Sequence, residues 1–330
     1  MPTVCFFCRT NDLGILQRVD FYAQDLRILK ELGFDIRVAT RPSEIVSADL
    51  YFVWWWTWAF FPITYARLRG KPAIVTGAFD FWLYPSRSRV QRALHRYALK
   101  RASGNVFISR LEYKTVTDAL PTTNPIYVPL GVDVDRFSPT ADARKPFVLT
   151  IAGSGMDQGN SSRKCIPELI RSAPLIHRAH PEVRFVIVGK KGSDYPALKA
   201  LVAEVGAESY VDFPGVVNDD EKVSLLRSCS VYLQPSLYEG FGLSVLEAMS
   251  CGAPVVTNAA GELPEVGGDA VRYAANQLPE SIADATSALL ADANERRALS
   301  AKARSRAVNL FTVQRRRDEL QRVIADVTAR

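Results

Sequence analysis

The chain has 330 residues, 48% of them hydrophobic and 23% charged, with a formal net charge of +6. That composition excludes a disordered tail, a collagen-like fibre and a bundle of membrane spans, and leaves one large domain or two of about 150 residues. The charge is uneven: residues 1–145 hold 20 Lys and Arg against 13 Asp and Glu, residues 146–330 hold 21 against 22, and only the first half is directed toward an anionic partner.

In chain order, strands are expected near Thr3–Arg9, Asp35–Thr40, Leu50–Trp55, Pro72–Thr76, Asn105–Ile108 and Pro125–Val128, with helices such as Ile15–Leu32 and Arg87–Arg101 between them. Cys5 and Cys8 fall on the first strand, where positions i and i+3 point to opposite faces, so they read as buried thiols and not as a metal pair. The five cysteines have no framework spacing and no secretory leader precedes them, so a cytoplasmic protein is expected.

Leu50 to Ala66 is uncharged for 17 residues, short for a membrane span and with its tryptophans in the middle. A strand followed by a helix is the better reading. It places Trp54, Trp55, Trp56 and Trp58 at a strand's carboxyl end, where they could stack on a sugar, meet lipid or simply pack.

Ser86–Arg101 reads as a basic amphipathic helix, with Val90, Ala93, Leu94, Tyr97 and Ala98 on one stripe and six Lys and Arg elsewhere. It could lie on an anionic membrane or be an ordinary solvated helix. His95, His177 and His180 read as surface residues of helices. The polar stretch Phe137–Pro146 reads as a linker, which divides the chain into 1–140 and 141–310, with 311–330 as a C-terminal helix able to pack back on the first domain.

The second half repeats the alternation, with strands near Pro146–Ala152, Val183–Val188, Tyr210–Phe213, Ser230–Gln234 and Pro254–Thr257, and helices near Lys164–Ala179, Asp219–Cys229 and Ser244–Cys251. The fold class is therefore α/β: two doubly wound, Rossmann-like domains, with a cleft expected along the carboxyl ends of their strands. At one such end, SLYEGFGLSVLEAM places Gly240 and Gly242 where a helix N-terminus has unpaired amides, suited to a phosphate. Glu239 and Glu247 add carboxylates suited to sugar hydroxyls. A capping glutamate and a solvated one are the alternative. A second loop, IAGSGMDQGNSSRK, brings Arg163 and Lys164 to a helix start, where an anion would offset their charge; a plain flexible turn is equally consistent.

The stretch Ser236–Val256 resembles the signature of the retaining glycosyltransferases of family 4 (glycosyl transferases group 1), which have the GT-B fold. VPLGVDVDRFSP, FVIVGKKG, VDFPGVVNDDE, GELPEVGG and Asn105–Ser109 are similar to further family segments in the family's order, so the likeness is strong over 105–330 and only in outline over 1–104. It implies a nucleotide-sugar donor, linked to UDP or GDP, and no required metal or other cofactor. Glu247 would bind the ribose and Glu239 the donor sugar, with amides from Gly240, Phe241, Gly242 and Leu243. Gly215, Val216 and Val217 would lie beside the base, Gly153 and Ser154 beside the donor, and Lys164 on the diphosphate. The family's arginine is replaced by Ser154, and Arg163 is the candidate substitute.

Such enzymes stabilise charge on the leaving diphosphate with fixed cations and amides and retain anomeric configuration by front-face displacement. The implied acceptor is a glycan or lipid-linked glycan of cell-surface polysaccharide synthesis, received by the first half at the inner face of the membrane. That half departs from the family. Only Gly14 stands where a paired-glycine loop is usual, and TGAFDFW carries Asp80 but no histidine. Asp80 is the polar candidate there, with a loop or cap residue as the alternative. Rival readings are a non-catalytic partner subunit and a nucleotide-sugar epimerase or hydrolase of the same fold. A dinucleotide oxidoreductase lacks its G-x-G-x-x-G, and nucleic-acid binding has net charge alone in its favour.

Overall fold

The computed structural model describes residues 1–152, 156–157 and 159–329, which fold into two compact units, Met1–Gly131 with Val313–Arg330, and Val132–Thr312. Unit 1 contains a parallel sheet of β1 (Thr3–Cys8), β2 (Asp35–Ala39), β3 (Leu50–Trp54), β4 (Ala73–Gly77), β5 (Gly104–Phe107) and β6 (Pro125–Tyr127), in the order β2-β1-β3-β4-β5-β6. Its helices are α1 (Ile15–Arg18), α2 (Asp20–Glu31), α3 (Phe60–Leu68), α4 (Arg89–Arg101) and α5 (Arg110–Ala119). The apolar runs VCFFC and LYFVW are buried along their whole length, as central parallel strands covered on both faces must be. Cys5 and Cys8 are accordingly buried free thiols.

Unit 2 has β7 (Lys145–Ile151), β8 (Arg184–Val188), β9 (Val211–Gly215), β10 (Cys229–Gln234), β11 (Val255–Asn258) and β12 (Arg272–Ala274), in the order β12-β11-β10-β7-β8-β9. This order reverses direction between β7 and β10, the place where doubly wound sheets bind ligands beyond their carboxyl ends. Its helices are α6 (Asn160–Arg163), α7 (Ile166–Ala179), α8 (Tyr195–Glu204), α9 (Asp219–Ser228), α10 (Leu243–Ser250), α11 (Leu263–Gly267), α12 (Pro279–Ala291) and α13 (Ala293–Leu310). The last helix, α14 (Val313–Thr328), belongs to unit 1. There Arg316, fully enclosed, pairs with Asp25 of α2 and donates to the carbonyls of Val128 and Pro129.

Several expectations need correction. The chain divides at Gly131/Val132 and not within Phe137–Pro146. That stretch is tied into unit 2: Ser250 donates to the Phe137 carbonyl and Arg227 to the Ser138 carbonyl. The helix expected over Ile15–Leu32 is interrupted at Val19, whose extended backbone starts a new helix. The one expected from Lys164 begins at Ile166, because Cys165 takes a left-handed φ of 51° and closes the preceding turn. The buried face of α4 is His95, Ala98 and Leu99; Val90 and Ala93 of the expected stripe are exposed.

Candidate donor site

The carboxyl end of β10 leads through Pro235–Phe241 into α10, and it is held from three sides. Gly242 has φ of 95°, and a side chain there would press within 2.8 Å of Leu263 Cδ2, so only glycine fits. Gly261 sits so close that a Cβ would meet the Glu239 carbonyl oxygen at 2.6 Å, and the Glu262 amide donates to that same carbonyl. The Phe241 side chain is buried against Phe311, which leaves its backbone, with those of Gly240 and Leu243, to line the helix entrance.

Glu239 is buried and sits at the centre of a polar network. Its Oε1 accepts from Lys164 Nζ at 2.8 Å, Ser236 Oγ at 2.8 Å and Gln234 Nε2 at 2.5 Å, while Arg163 lies 3.1 Å from Oε2. Burial alone would raise its pKa. The Lys164 and Arg163 charges, with the Lys164 and Ser236 bonds, outweigh this and hold the carboxyl down at about 2. Lys164 is enclosed; burial lowers its pKa and the Glu239 charge opposes the shift. Glu239 is therefore a carboxylate at neutral pH, set between the basic side chains of Lys164 and Arg163. Arg163 is also tied to the Tyr238 carbonyl and to Asn160, and remains the more accessible cation.

Glu247 is buried in the second turn of α10 and accepts from Lys222 Nζ of α9 at 3.0 Å. The segment before α9 holds the other expected donor residues. Gly215 closes β9 with φ of 91°, where a side chain would lie 3.7 Å from Lys191 Cε, Val216 is 75% exposed and Val217 half-buried. The structure thus brings Glu239, Lys164 and Arg163 into one cluster. Gly153 and Ser154 lie outside the described residues.

Gln234, Ser236, Tyr232, Ser244 and Lys222 escaped the sequence reading. Gln234 accepts from Tyr232 and Ser244 and passes a bond to Glu239, which orients the carboxylate. A glutamine inside the buried strand VYLQ was the available signal.

The glycosyl transferases group 1 family profile matches residues 142–306, half of the chain. The chain belongs to the glycosyl transferases group 1. Among relatives of this family, it is 34% identical over 190 residues to an MMP alpha-(1->4)-mannosyltransferase of Mycolicibacterium hassiacum, covering 57% of this chain and 44% of that protein. It is 28% identical over 251 residues to a GDP-mannose-dependent alpha-(1-6)-phosphatidylinositol monomannoside mannosyltransferase of Mycolicibacterium smegmatis, covering 69% and 64%. The chain spans less than two thirds of the length of these curated relatives. In fold it matches sucrose-phosphate synthase from Thermosynechococcus elongatus at TM-score 0.81 and 17% identity over both whole chains. It also matches Anabaena HepE, solved with UDP and glucose, at 0.79 and 16% over 99% and 100%. The two parallel six-stranded sheets of the group 1 chain are those of the GT-B fold.

In unit 1 the tryptophans divide. Trp54 and Trp56 are each 1% exposed and belong to the core; Trp56 stacks on Phe107 and donates to Asn105 at 2.9 Å, so neither is available to a ligand. Trp55, at φ of 76°, is half-buried and bonded to Tyr22, and the absent side chain of Gly77 makes room for it. Trp58 is 41% exposed, with the Arg9 guanidinium 5.5 Å from its ring. Gly14 caps α1 with ordinary helical angles, and its amide donates to Asp12 Oδ1.

Asp80 follows β4 in a left-handed conformation at φ of 53°. Its loop is clamped by buried Glu112, whose oxygens accept the amides of Phe79, Asp80 and Phe81 at 2.6, 2.6 and 3.3 Å. His95 is buried and not a surface residue. It packs against Phe79, contacts Arg87, and lies 2.7 Å from the Gln91 carbonyl through Nδ1. Burial, with Arg87 adding, lowers its pKa to about 4, against the Gln91 bond. Among the described residues no helix is long and apolar enough to cross a membrane, and no group of three or more His, Cys, Asp and Glu converges on a metal-binding point.

Proposed function

We propose that the chain transfers a sugar, with retention of configuration, from a UDP- or GDP-linked donor to a glycan or lipid-linked glycan. Unit 2 holds the donor and unit 1 receives the acceptor. The observation that carries this reading is the Glu239–Lys164–Arg163 cluster at the β7/β10 switch point, beside the glycine-opened start of α10. A diphosphate would draw Arg163 and the α10 amides, while Lys164 stays fixed by Glu239. Negative charge growing on the leaving group would then meet donors that need not reorganise. Glu239 Oε2, beside Arg163, would also accept from sugar hydroxyls, and Glu247 serves the ribose. Asp80, on its clamped loop, is the acceptor-side polar group, with Trp58 as a stacking surface and Gly14 in the loop after β1.

The same reading places the protein in the cytoplasm at the inner face of the membrane, touching lipid through Ser86–Arg101. What supports this is that Arg89, Arg96, Lys100 and Arg101 are exposed on α4, near exposed Trp82, Leu83 and Val90. The deciding experiment measures melting of wild type and Glu247→Ala with UDP, GDP and ADP. A nucleotide at about 100 times its dissociation constant adds roughly 2.7 kcal/mol. Stabilisation by UDP or GDP that disappears in Glu247→Ala is expected and names the base; no stabilisation by any nucleotide would overturn the donor site.

A further inference from the structure

At the amino-terminal edge of the unit 2 sheet, opposite the donor end of α10, lies a cavity of about 500 Å³ into which Arg144, Arg296, Arg297 and Arg304 all converge, with Ser300 on its wall. None of the four has a carboxylate within ion-pair distance among the described residues. Arg144 donates to carbonyls at the ends of α9 and α10, Arg304 to Ser250 and the Phe137 carbonyl, and Arg296 to Leu289 and Leu290 at the end of α12.

Three helix C-termini offset about half a charge each, and Asp292, the cap of α13, offsets one more; its pKa is lowered by backbone bonds and then by Arg296 and Arg272. That leaves an excess of about one to two positive charges. Donors also remain. Every bond of Arg304 and Arg296 leaves from Nη1 alone, and Arg297 makes one, to Asn294. The other guanidinium nitrogens have no acceptor among the described residues.

We propose that this cavity is a second anion site of unit 2, built for a small molecule carrying one or two phosphate groups. Guanidinium forks match phosphate oxygens bidentately, and the volume admits a phosphorylated sugar as well as a bare diphosphate. The site is separate from the donor cluster, and the eight residues of α10 span about 12 Å between the two ends.

The test is a melting titration of the full chain with sodium pyrophosphate at constant ionic strength. Three proteins are compared: wild type, Lys164→Met at the donor cluster, and the double variant Arg297→Glu/Ser300→Glu, whose positions lie on the outer face of α13. The expected result is stabilisation of wild type and Lys164→Met, with half-saturation at least tenfold weaker in the double variant, whose ligand-free melting stays near wild type. Stabilisation that vanishes in Lys164→Met and survives in the double variant would assign pyrophosphate to the donor site and overturn the proposal, as would no stabilisation of any protein. Flotation with phosphatidylcholine vesicles, with and without phosphatidic acid, distinguishes the source. Binding that needs phosphatidic acid and is lost in the double variant supports the site with its phosphate carried on lipid; no such binding, with pyrophosphate effective, supports a soluble ligand.

Discussion

Glu247 Oε1 and Lys222 Nζ lie 3.0 Å apart, with 5% and 14% of their side chains exposed, so the ribose-binding candidate already has a cation beside it. If Glu247 serves by accepting sugar hydroxyls, its charge matters less to the nucleotide than its two acceptor oxygens. Glu247→Gln keeps one acceptor and should weaken nucleotide binding by about tenfold, whereas Glu247→Ala should remove it. Lys222→Met should lower fold stability by roughly 1–3 kcal/mol and leave nucleotide binding nearly intact. Calorimetric titration with the nucleotide found by melting checks all three. Equal binding by wild type and Glu247→Ala would remove Glu247 from the site.

The Lys164–Glu239 pair separates stability from turnover. Glu239→Gln leaves a buried ammonium without its carboxylate and should cost about 3–5 kcal/mol. Replacing both, Lys164→Met/Glu239→Leu, should recover most of that stability because no lone charge remains. Neither variant should recover turnover, which is expected to fall by about 10²–10³ when a fixed transition-state donor is lost. Urea melts paired with donor turnover give both numbers. A stable double variant with wild-type turnover would make the cluster purely structural.

Acid should weaken the two units at different pH. His95 titrates at about 4 in the fold against 6.5 for the free side chain. The unfolded chain therefore binds the extra proton, and His95's contribution is complete above 6.5 and lost as pH falls toward 4. Glu239, held at about 2 against 4.5, loses its contribution only between about 4.5 and 2. All five tryptophans lie in unit 1, so their fluorescence follows His95's unit alone. Denaturant melts should lose about 2 kcal/mol between pH 6.5 and 5, and His95→Gln should flatten that slope. A slope unchanged by the substitution would mean His95 titrates normally.

Much of this was legible in the sequence, for physical reasons that also mark where it stopped. The central strands are apolar along their length because both faces are covered, so TVCFFC and LYFVW announce themselves; β12, three residues with one buried, does not. Glu239, Glu247 and Lys164 stood out because a motif fixes their spacing. The contact that defines the cluster joins positions 75 residues apart, and Gln234, Ser236 and Lys222 matter only through such tertiary contacts. His95 read as a surface residue because it falls outside the apolar stripe expected for α4; its burial comes from Phe79 and Tyr84, which local periodicity does not contain. The tryptophans of β3 and the turn after it are alike in sequence, and only packing separates Trp56 from Trp58.

That separation is testable. Trp56→Ala removes a core ring and a buried donor to Asn105, and should cost about 3–5 kcal/mol. Trp58→Ala, at a residue 41% exposed and outside the core, should cost less, about 1 kcal/mol. If Trp58 stacks on the acceptor, its loss should raise the acceptor KM several-fold with the donor KM unchanged. Unchanged acceptor kinetics would return Trp58 to ordinary surface.

α14 is attached to unit 1 by an enclosed ion pair as well as by apolar burial. Arg316 grips Asp25 through Nε and Nη2 at 2.7 and 2.8 Å, and its Nη1 holds the Val128 and Pro129 carbonyls. Leu320, Val323, Ile324 and Val327 are buried along the same helix, so apolar burial and the ion pair act together. Arg316→Leu strands the Asp25 carboxylate and frees two carbonyls, and should cost about 3–5 kcal/mol in tryptophan-monitored melts. Asp25→Asn should cost less, since the amide oxygen still accepts and Arg316 keeps its carbonyls. In Asp25→Leu/Arg316→Met the carboxylate is gone, and the remaining penalty should fall to that of the two carbonyls. A double-mutant cycle with no coupling between the two positions would show that apolar burial alone holds α14 in place.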